Sequence, residues 1–173
     1  PKVFRNINLM TLVSTKWLFN NRENVKIIDC SWHLPNEKRN SLEEYNSEHI
    51  PNAIYFDIDK NSDKNSDLPH MLPSKKEWEE IVSSLGISND DKIIIYDNSD
   101  LISSCRLWYS FLYFGHNKEL VYILNGGLEK WNKEKLVTTN IKTDLIKTKY
   151  SAIENKEMVK NLDEINDNIE EKK

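Results

Sequence analysis

Apolar residues in this chain fall in short runs separated by longer amphipathic stretches. Val25-Lys26-Ile27-Ile28-Asp29, Ala53-Ile54-Tyr55-Phe56, Lys92-Ile93-Ile94-Ile95-Tyr96-Asp97 and Leu120-Val121-Tyr122-Ile123-Leu124 are compact and mostly β-branched or aromatic. That is the pattern of strands buried on both faces. Helical spacing fills the gaps. Ser14 precedes Trp17, Leu18 and Asn21, an N-cap followed by a first helix. Ser41 to Glu48 predicts a short helix stopped by Pro51. Ser74 with Glu77 reads as a capping box ahead of a helix that buries Trp78, Ile81, Val82 and Leu85 and ends at Gly86. Ser103 to Phe114 predicts an apolar helix ended by Gly115, and Gly126-Gly127 turns the chain into a last short helix through Leu128 and Trp131.

Strands alternating with helices at these lengths imply parallel pairing through crossover helices. The expected fold is α/β, a small doubly wound parallel sheet with helices on both faces. Ligands in such folds sit beyond the carboxyl ends of the strands. This directs attention to Asp29-Cys30-Ser31-Trp32, Asp57-Ile58-Asp59, Asp97-Asn98-Ser99-Asp100 and Asn125-Gly126-Gly127. After Leu136 the texture changes. Val137 to Tyr150 is polar and reads as extended, and Lys156 to Lys173 reads as a charged helix with Met158, Leu162, Ile165 and Ile169 on one face. A lone amphipathic helix of this kind needs a partner surface.

Composition narrows the function classes. With 173 residues the chain suits one domain, or one domain plus a stub. A mean hydropathy of −0.67 and apolar runs far below the roughly 20 residues of a spanning helix argue against a membrane protein. The amino end carries no signal-peptide pattern. A net charge of −4 argues against a dedicated nucleic-acid binder. Cys30 and Cys105 are the two cysteines. They suggest reduced thiols in a cytoplasmic setting and exclude a disulfide scaffold or a four-cysteine zinc site. No metal-ligand spacing and no cofactor motif is present.

Several segments, taken in order, resemble one family. Leu12-Val13-Ser14-Thr15-Lys16-Trp17-Leu18 is similar to the opening of the tandem-domain rhodanese and 3-mercaptopyruvate sulfurtransferase family. Asp29-Cys30-Ser31-Trp32-His33-Leu34-Pro35 resembles its D-A-S-W-x-L-P, and His49-Ile50-Pro51-Asn52-Ala53 its H-I-P-G-A. Phe56-Asp57-Ile58-Asp59, Ser62-Asp63 and His70-Met71-Leu72-Pro73 resemble F-D-I-D, S-D and H-M-L-P. Arg106-Leu107-Trp108 resembles R-V-W, and Asn125-Gly126-Gly127 with Trp131 resembles D-G-G-x-x-x-W. The likeness runs from Leu12 to Trp131 and is to the family's amino-terminal domain.

The resemblance implies a rhodanese-like domain over residues 1–136, a linker over 137–155 and, over 156–173, the first helix of a second rhodanese domain that continues past Lys173. It also implies where the sulfur goes. The family's persulfide-forming cysteine leads a loop of the second domain, and Asp97 stands at the equivalent position here. Sulfur transfer needs a thiolate, lowered in pKa by backbone N–H groups or cations, to take sulfur from thiosulfate or 3-mercaptopyruvate and pass it to a thiol or cyanide. By resemblance Asp59 and His70 lie at the cleft between the domains and assist the second domain's cysteine. A histidine oriented by a carboxylate can shuttle protons near neutral pH. The pair leans toward mercaptopyruvate as donor. Asp97, Asn98, Ser99 and Arg106 are assigned to the loop and substrate region, with Arg106 expected to fix the loop by hydrogen bonds.

The remaining residues read as structural. Cys105 is expected to face the helix interior, although Arg106 beside it would favour a thiolate. Cys30 is expected to be a small buried side chain. Neither cysteine begins a cysteine-x5-arginine phosphatase loop. Asp63 folds a loop, Trp32 and Trp108 are core or interdomain surface, His49 makes a structural hydrogen bond, and His33 and His116 have no clustered partners. Two rival readings stay open: a stand-alone, non-catalytic rhodanese-like binding module, and an atypical sulfur carrier built on Cys30 or Cys105.

Overall fold

A computed structural model describes residues 11–171. The first ten residues of the expected domain and the Lys172-Lys173 end lie outside it. Each apolar run forms a strand within a residue or two of its expected bounds: β2 is Lys26–Asp29, β3 Ala53–Tyr55, β4 Ile93–Tyr96 and β5 Val121–Leu124. A two-residue strand that the pattern did not reveal, β1 at Leu12–Val13, pairs with β5. All the ladders are parallel, and the sheet order is β1-β5-β4-β2-β3.

The crossovers are α1 (Thr15–Asn21), α2 (Ser41–Ser47), α3 (Lys75–Ser84) and α4 (Ser103–Tyr113), with α5 (Gly127–Lys133) following β5. Their starts are built as the sequence dictates. Ser14 Oγ accepts from the Trp17 N–H at 3.1 Å. Ser74 and Glu77 form the reciprocal capping box of α3. Asn40 caps α2 by accepting from the N–H groups of Leu42 and Glu43.

Strand side chains alternate between faces, so each buried strand feeds two cores. On one face Ile28, Ile93, Ile95 and Val121 meet Trp78 and Val82 of α3 and Leu107 and Phe111 of α4. Trp78 stacks on Phe114 at 4.7 Å between ring centroids and meets Phe111 edge-on at 5.1 Å. On the other face Ile27, Ile94, Tyr96 and Leu124 meet Leu18 of α1, Tyr45 of α2, and Leu128 and Trp131 of α5. This is the expected doubly wound arrangement.

Residues 137–155 are extended, but they form a strap against the domain. Thr139 and His49 exchange backbone hydrogen bonds of 2.8 and 2.9 Å. Thr143 Oγ1 donates to the Ala53 carbonyl at 2.8 Å, and Thr148 Oγ1 to the Ile87 carbonyl at 2.6 Å. Tyr150 and Ala152 are buried in the α3–α4 core. At Gly115, where α4 ends with φ +79°, a Cβ would stand 2.7 Å from the Ile153 carbonyl. Glycine is therefore required there twice over, for the left-handed turn and for the close passage of the strap. The expected helix over 156–173 is broken: Lys156–Met158 is a single 3₁₀ turn, and the α-helix α6 spans Leu162–Glu171. Met158 therefore lies off the helix, and α6 buries none of its described residues.

Candidate functional site

In this sheet β2 is followed by its neighbour β3 on one side, whereas β4 is followed by β5 on the other. The strand order reverses between β2 and β4, so their carboxyl ends open a crevice. The loops leaving these two strands are laced together. The Cys30 N–H donates to the Tyr96 carbonyl at 2.9 Å, the Asn98 N–H to Ser31 Oγ at 2.9 Å, and Ser103 Oγ to the Cys30 carbonyl at 2.6 Å. Asp29 anchors the set by accepting from both the N–H and the hydroxyl of Ser31. Its own carboxyl is pushed up by burial, against the pull of those hydrogen bonds.

The loop after β4 closes onto the start of α4. Ile102, in the left-handed region at φ +52°, precedes the helix and offers no side-chain cap. Asp97 supplies it from further back: its Oδ2 accepts from the Ser104 N–H at 2.6 Å. A helix N-terminus has unsatisfied N–H donors and a partial positive charge, so a carboxylate there fills an anion position. The Asp97 carbonyl meanwhile accepts from the Leu128 N–H at 3.0 Å. Gly127, at φ +55°, makes this approach possible, since a Cβ would collide with that carbonyl. Asp97, Asn98 and Ser99 line a cavity of about 490 Å³, together with Arg39, Cys105 and Gly127.

Arg39 is a site residue that the sequence reading missed. Its guanidinium grips Glu44 through Nε and Nη2, both at 2.7 Å, and donates to the Asn98 carbonyl at 3.1 Å. Burial pushes the Glu44 carboxyl up, but the hydrogen bonds and charges of Arg39 and His33 together outweigh it and hold that carboxyl below its ordinary value. Glu44 also reaches His33 Nε2 at 3.1 Å. His33 therefore has a partner, contrary to expectation. So does His116, which lies between the Tyr150 hydroxyl at 3.2 Å and the Asp91 carbonyl at 3.0 Å. The only local signal for the Arg39–Glu44 pair is their position on either side of the Asn40 cap. His49 is structural: its ring nitrogens face the Tyr45 and Ile141 carbonyls at 2.6 and 3.1 Å.

Neither cysteine resembles a poised nucleophile. Cys30 is fully buried, and its thiol is pushed far up by burial and by the nearby Asp29 and Asp97 charges. Cys105 is exposed rather than turned into the helix. The expected help from Arg106 is absent, because partial burial and the Asp97 charge raise the Cys105 thiol.

Asp59 and His70 are brought together. Asp59 Oδ1 lies 2.6 Å from His70 Nε2, and Asp59 Oδ2 accepts from Trp32 Nε1 at 3.0 Å. Both residues come from the loop between β3 and α3, whose fold Asp63 helps to set: its N–H donates to the Met71 carbonyl and its carboxylate accepts from the Asn65 N–H. They do not line the 490 Å³ cavity, so the expected site residues form two groups. Arg106 joins the second group. Its Nη2 donates to the His70 carbonyl at 2.5 Å, so the loop it fixes holds His70 rather than Asp97. Trp108 is half-buried against the core and donates to the Val121 carbonyl. Among the described residues no cluster of histidine, cysteine and carboxylate side chains could hold a metal ion. No described helix is long and apolar enough to cross a membrane.

Comparison with known proteins agrees with this architecture. The rhodanese-like domain family matches residues 14–134. Thiosulfate/3-mercaptopyruvate sulfurtransferase 1 of Arabidopsis thaliana is 45% identical over 122 residues, covering 69% of this chain and 32% of that protein. The 3-mercaptopyruvate sulfurtransferase of Mus musculus is 33% identical over 178 residues, covering 98% of this chain and 58% of that protein. Among solved structures, SseA from Escherichia coli, described as a 3-mercaptopyruvate sulfotransferase with the rhodanese fold, superposes with a TM-score of 0.86 at 33% identity. The match covers 94% of this chain and 64% of that one. The chain thus spans between about a third and two thirds of the length of these relatives. It belongs to the family of rhodanese-like domains, among homologues that are thiosulfate and 3-mercaptopyruvate sulfurtransferases.

Proposed function

We propose that this chain is the supporting, amino-terminal half of a sulfurtransferase, and that the persulfide forms on a cysteine of a second rhodanese domain. The observation that carries this reading is Asp97. By resemblance it leads the loop where a catalytic domain has its cysteine, and its carboxylate already fills the anion position at the start of α4. The apolar face of α6, with Leu162 and Ile169 exposed, suits a helix that begins another unit. So does the fraction of its relatives' length that the chain spans. A reducing, cytoplasm-like compartment suits its two free thiols.

The two donors make different demands. When a thiolate attacks the outer sulfur of thiosulfate, the S–S bond breaks and sulfite leaves with the electron pair on its sulfur, with no proton required. When it attacks the sulfur of 3-mercaptopyruvate, the C–S bond breaks and the pair passes to carbon as pyruvate enolate, which must take up a proton. A histidine held by a carboxylate can deliver that proton and then regain one from water. The Asp59–His70 pair, at 2.6 Å, is arranged for this task.

The test is His70→Asn in the longer protein that contains this chain. Mercaptopyruvate turnover is expected to fall on the order of 10²–10⁴-fold, the range for loss of a general acid, with thiosulfate turnover far less affected. Unchanged mercaptopyruvate turnover in the variant would remove His70 from the reaction, and no turnover of either donor by the parent would favour the rival reading, a non-catalytic binding module.

A further inference from the structure

Asp59 and His70 sit on a loop with little to hold them. The Asp59 side chain is 66% exposed and that of His70 27%. A carboxylate and an imidazole so placed would ordinarily sample many rotamers. Here they have three external contacts, from two other parts of the fold. The Trp32 indole N–H, on the loop after β2, binds the Asp59 oxygen that His70 does not use, at 3.0 Å. The same indole and the His70 ring meet edge to face, at 4.8 Å between centroids and 87° between planes. From α4, Arg106 Nη2 donates to the His70 carbonyl at 2.5 Å.

The backbone explains why the Arg106 contact is needed. His70 has φ +57°, in the left-handed region that non-glycine residues rarely adopt. Such a conformation persists only where its surroundings enforce it. The half-buried guanidinium, whose pKa burial lowers, reaches out of the core to grip that peptide. With the backbone fixed by Arg106 and the carboxylate fixed by Trp32, the imidazole has one orientation. Nε2 points at Asp59, whose carboxylate oxygen accepts, so the hydrogen belongs on Nε2, and Nδ1 has no hydrogen-bond partner among the described residues.

We propose that Trp32 and Arg106 are positioning residues that jointly lock His70 as the Nε2–H tautomer, with Nδ1 presented as the proton-transferring atom. This deepens the functional reading above and rests on it for its purpose, although not for its geometry. It assigns both residues a task that their bland alternatives, core packing for Trp32 and loop fastening for Arg106, do not include.

The test is nitrogen-15 NMR of the His70 ring in the 173-residue chain. The parent is expected to show one tautomer, with a slowly exchanging Nε2–H proton. Trp32→Phe keeps the aromatic edge but removes the N–H donor; it should abolish the protected proton and give mixed tautomers. Arg106→Met should do the same by releasing the backbone, and Arg106→Lys should restore much of the parent signal. Amide signals of Ile93 to Tyr96 report whether each variant is folded. If Arg106→Met unfolds, Trp32→Phe and Arg106→Lys still decide. Unchanged ring signals in folded Trp32→Phe and Arg106→Met would overturn the proposal. The ring signal needs no sulfur transfer, so the two claims fail separately: if the NMR behaves as expected while His70→Asn leaves mercaptopyruvate turnover intact, the lock stands and the functional reading falls.

Discussion

Asp97 Oδ2 accepts a 2.6 Å hydrogen bond from the backbone N–H of Ser104, in the first turn of α4. A side chain seven positions back in sequence thus completes a helix that has no cap of its own. In a thiolate-bearing loop the same donors would stabilise a sulfur anion. In this chain the Asp97 side chain takes the Ser104 donor, and partial burial together with the Asp97 charge raises the pKa of Cys105.

Asp97→Ala should therefore cost stability. Loss of a capping acceptor is worth about 1 kcal/mol, with a range of roughly 0.5–2. Asp97→Ser, which keeps an acceptor, should recover part of this. Urea denaturation of the three proteins checks it; an alanine midpoint equal to the parent's would show that the Ser104 contact contributes nothing.

The cysteines should differ sharply toward an alkylating reagent at neutral pH. Cys105 is exposed and reacts, though more slowly than an unhindered thiol because burial and Asp97 disfavour its thiolate. Cys30, with no exposure, stays unmodified until the protein unfolds. Asp97→Asn removes a negative neighbour and should speed the Cys105 reaction a few-fold. Peptide mass mapping over time distinguishes the two sites, and a rate unaffected by Asp97→Asn would contradict the electrostatic account.

The strap should behave as part of the domain. Tyr150 is 3% exposed, its ring lies parallel to that of His116, and its hydroxyl meets His116 Nδ1 at 3.2 Å. Tyr150→Ala should cost about 3 kcal/mol, the lower end for removal of a buried aromatic ring. Tyr150→Phe should cost about 1 kcal/mol for the lost hydrogen bond. Thermal or urea unfolding reads both. A free linker over residues 137–155 would make both substitutions neutral.

What could be read from the sequence follows from the range of the interactions involved. Runs such as Ile93-Ile94-Ile95 and caps such as Ser74 with Glu77 are local, so strands and helix starts emerge from the chain itself. Leu12–Val13 does not, because its strand character comes entirely from pairing with Ile123 and Leu124. Residues 137–155 read as a linker in sequence because Thr143, Thr148 and Tyr150 carry no periodicity; their partners at Ala53, Ile87 and Ser83 are more than sixty residues away. His33 and His116 meet partners 11 to 34 residues away, at Glu44, Asp91 and Tyr150, which no local pattern links to them. The closeness of Asp59 and His70 follows from family resemblance alone, and the reach of Arg106 to the His70 loop is illegible in the sequence because it depends on how α4 crosses the sheet.

The central claim is that this domain supports sulfur transfer without carrying the sulfur itself. Intact mass spectrometry of the 173-residue chain, after incubation with thiosulfate or with 3-mercaptopyruvate and without reductant, tests it most directly. The mass should remain that of the untreated protein with either donor. A gain of one sulfur atom, mapping to Cys30 or Cys105, would contradict the claim.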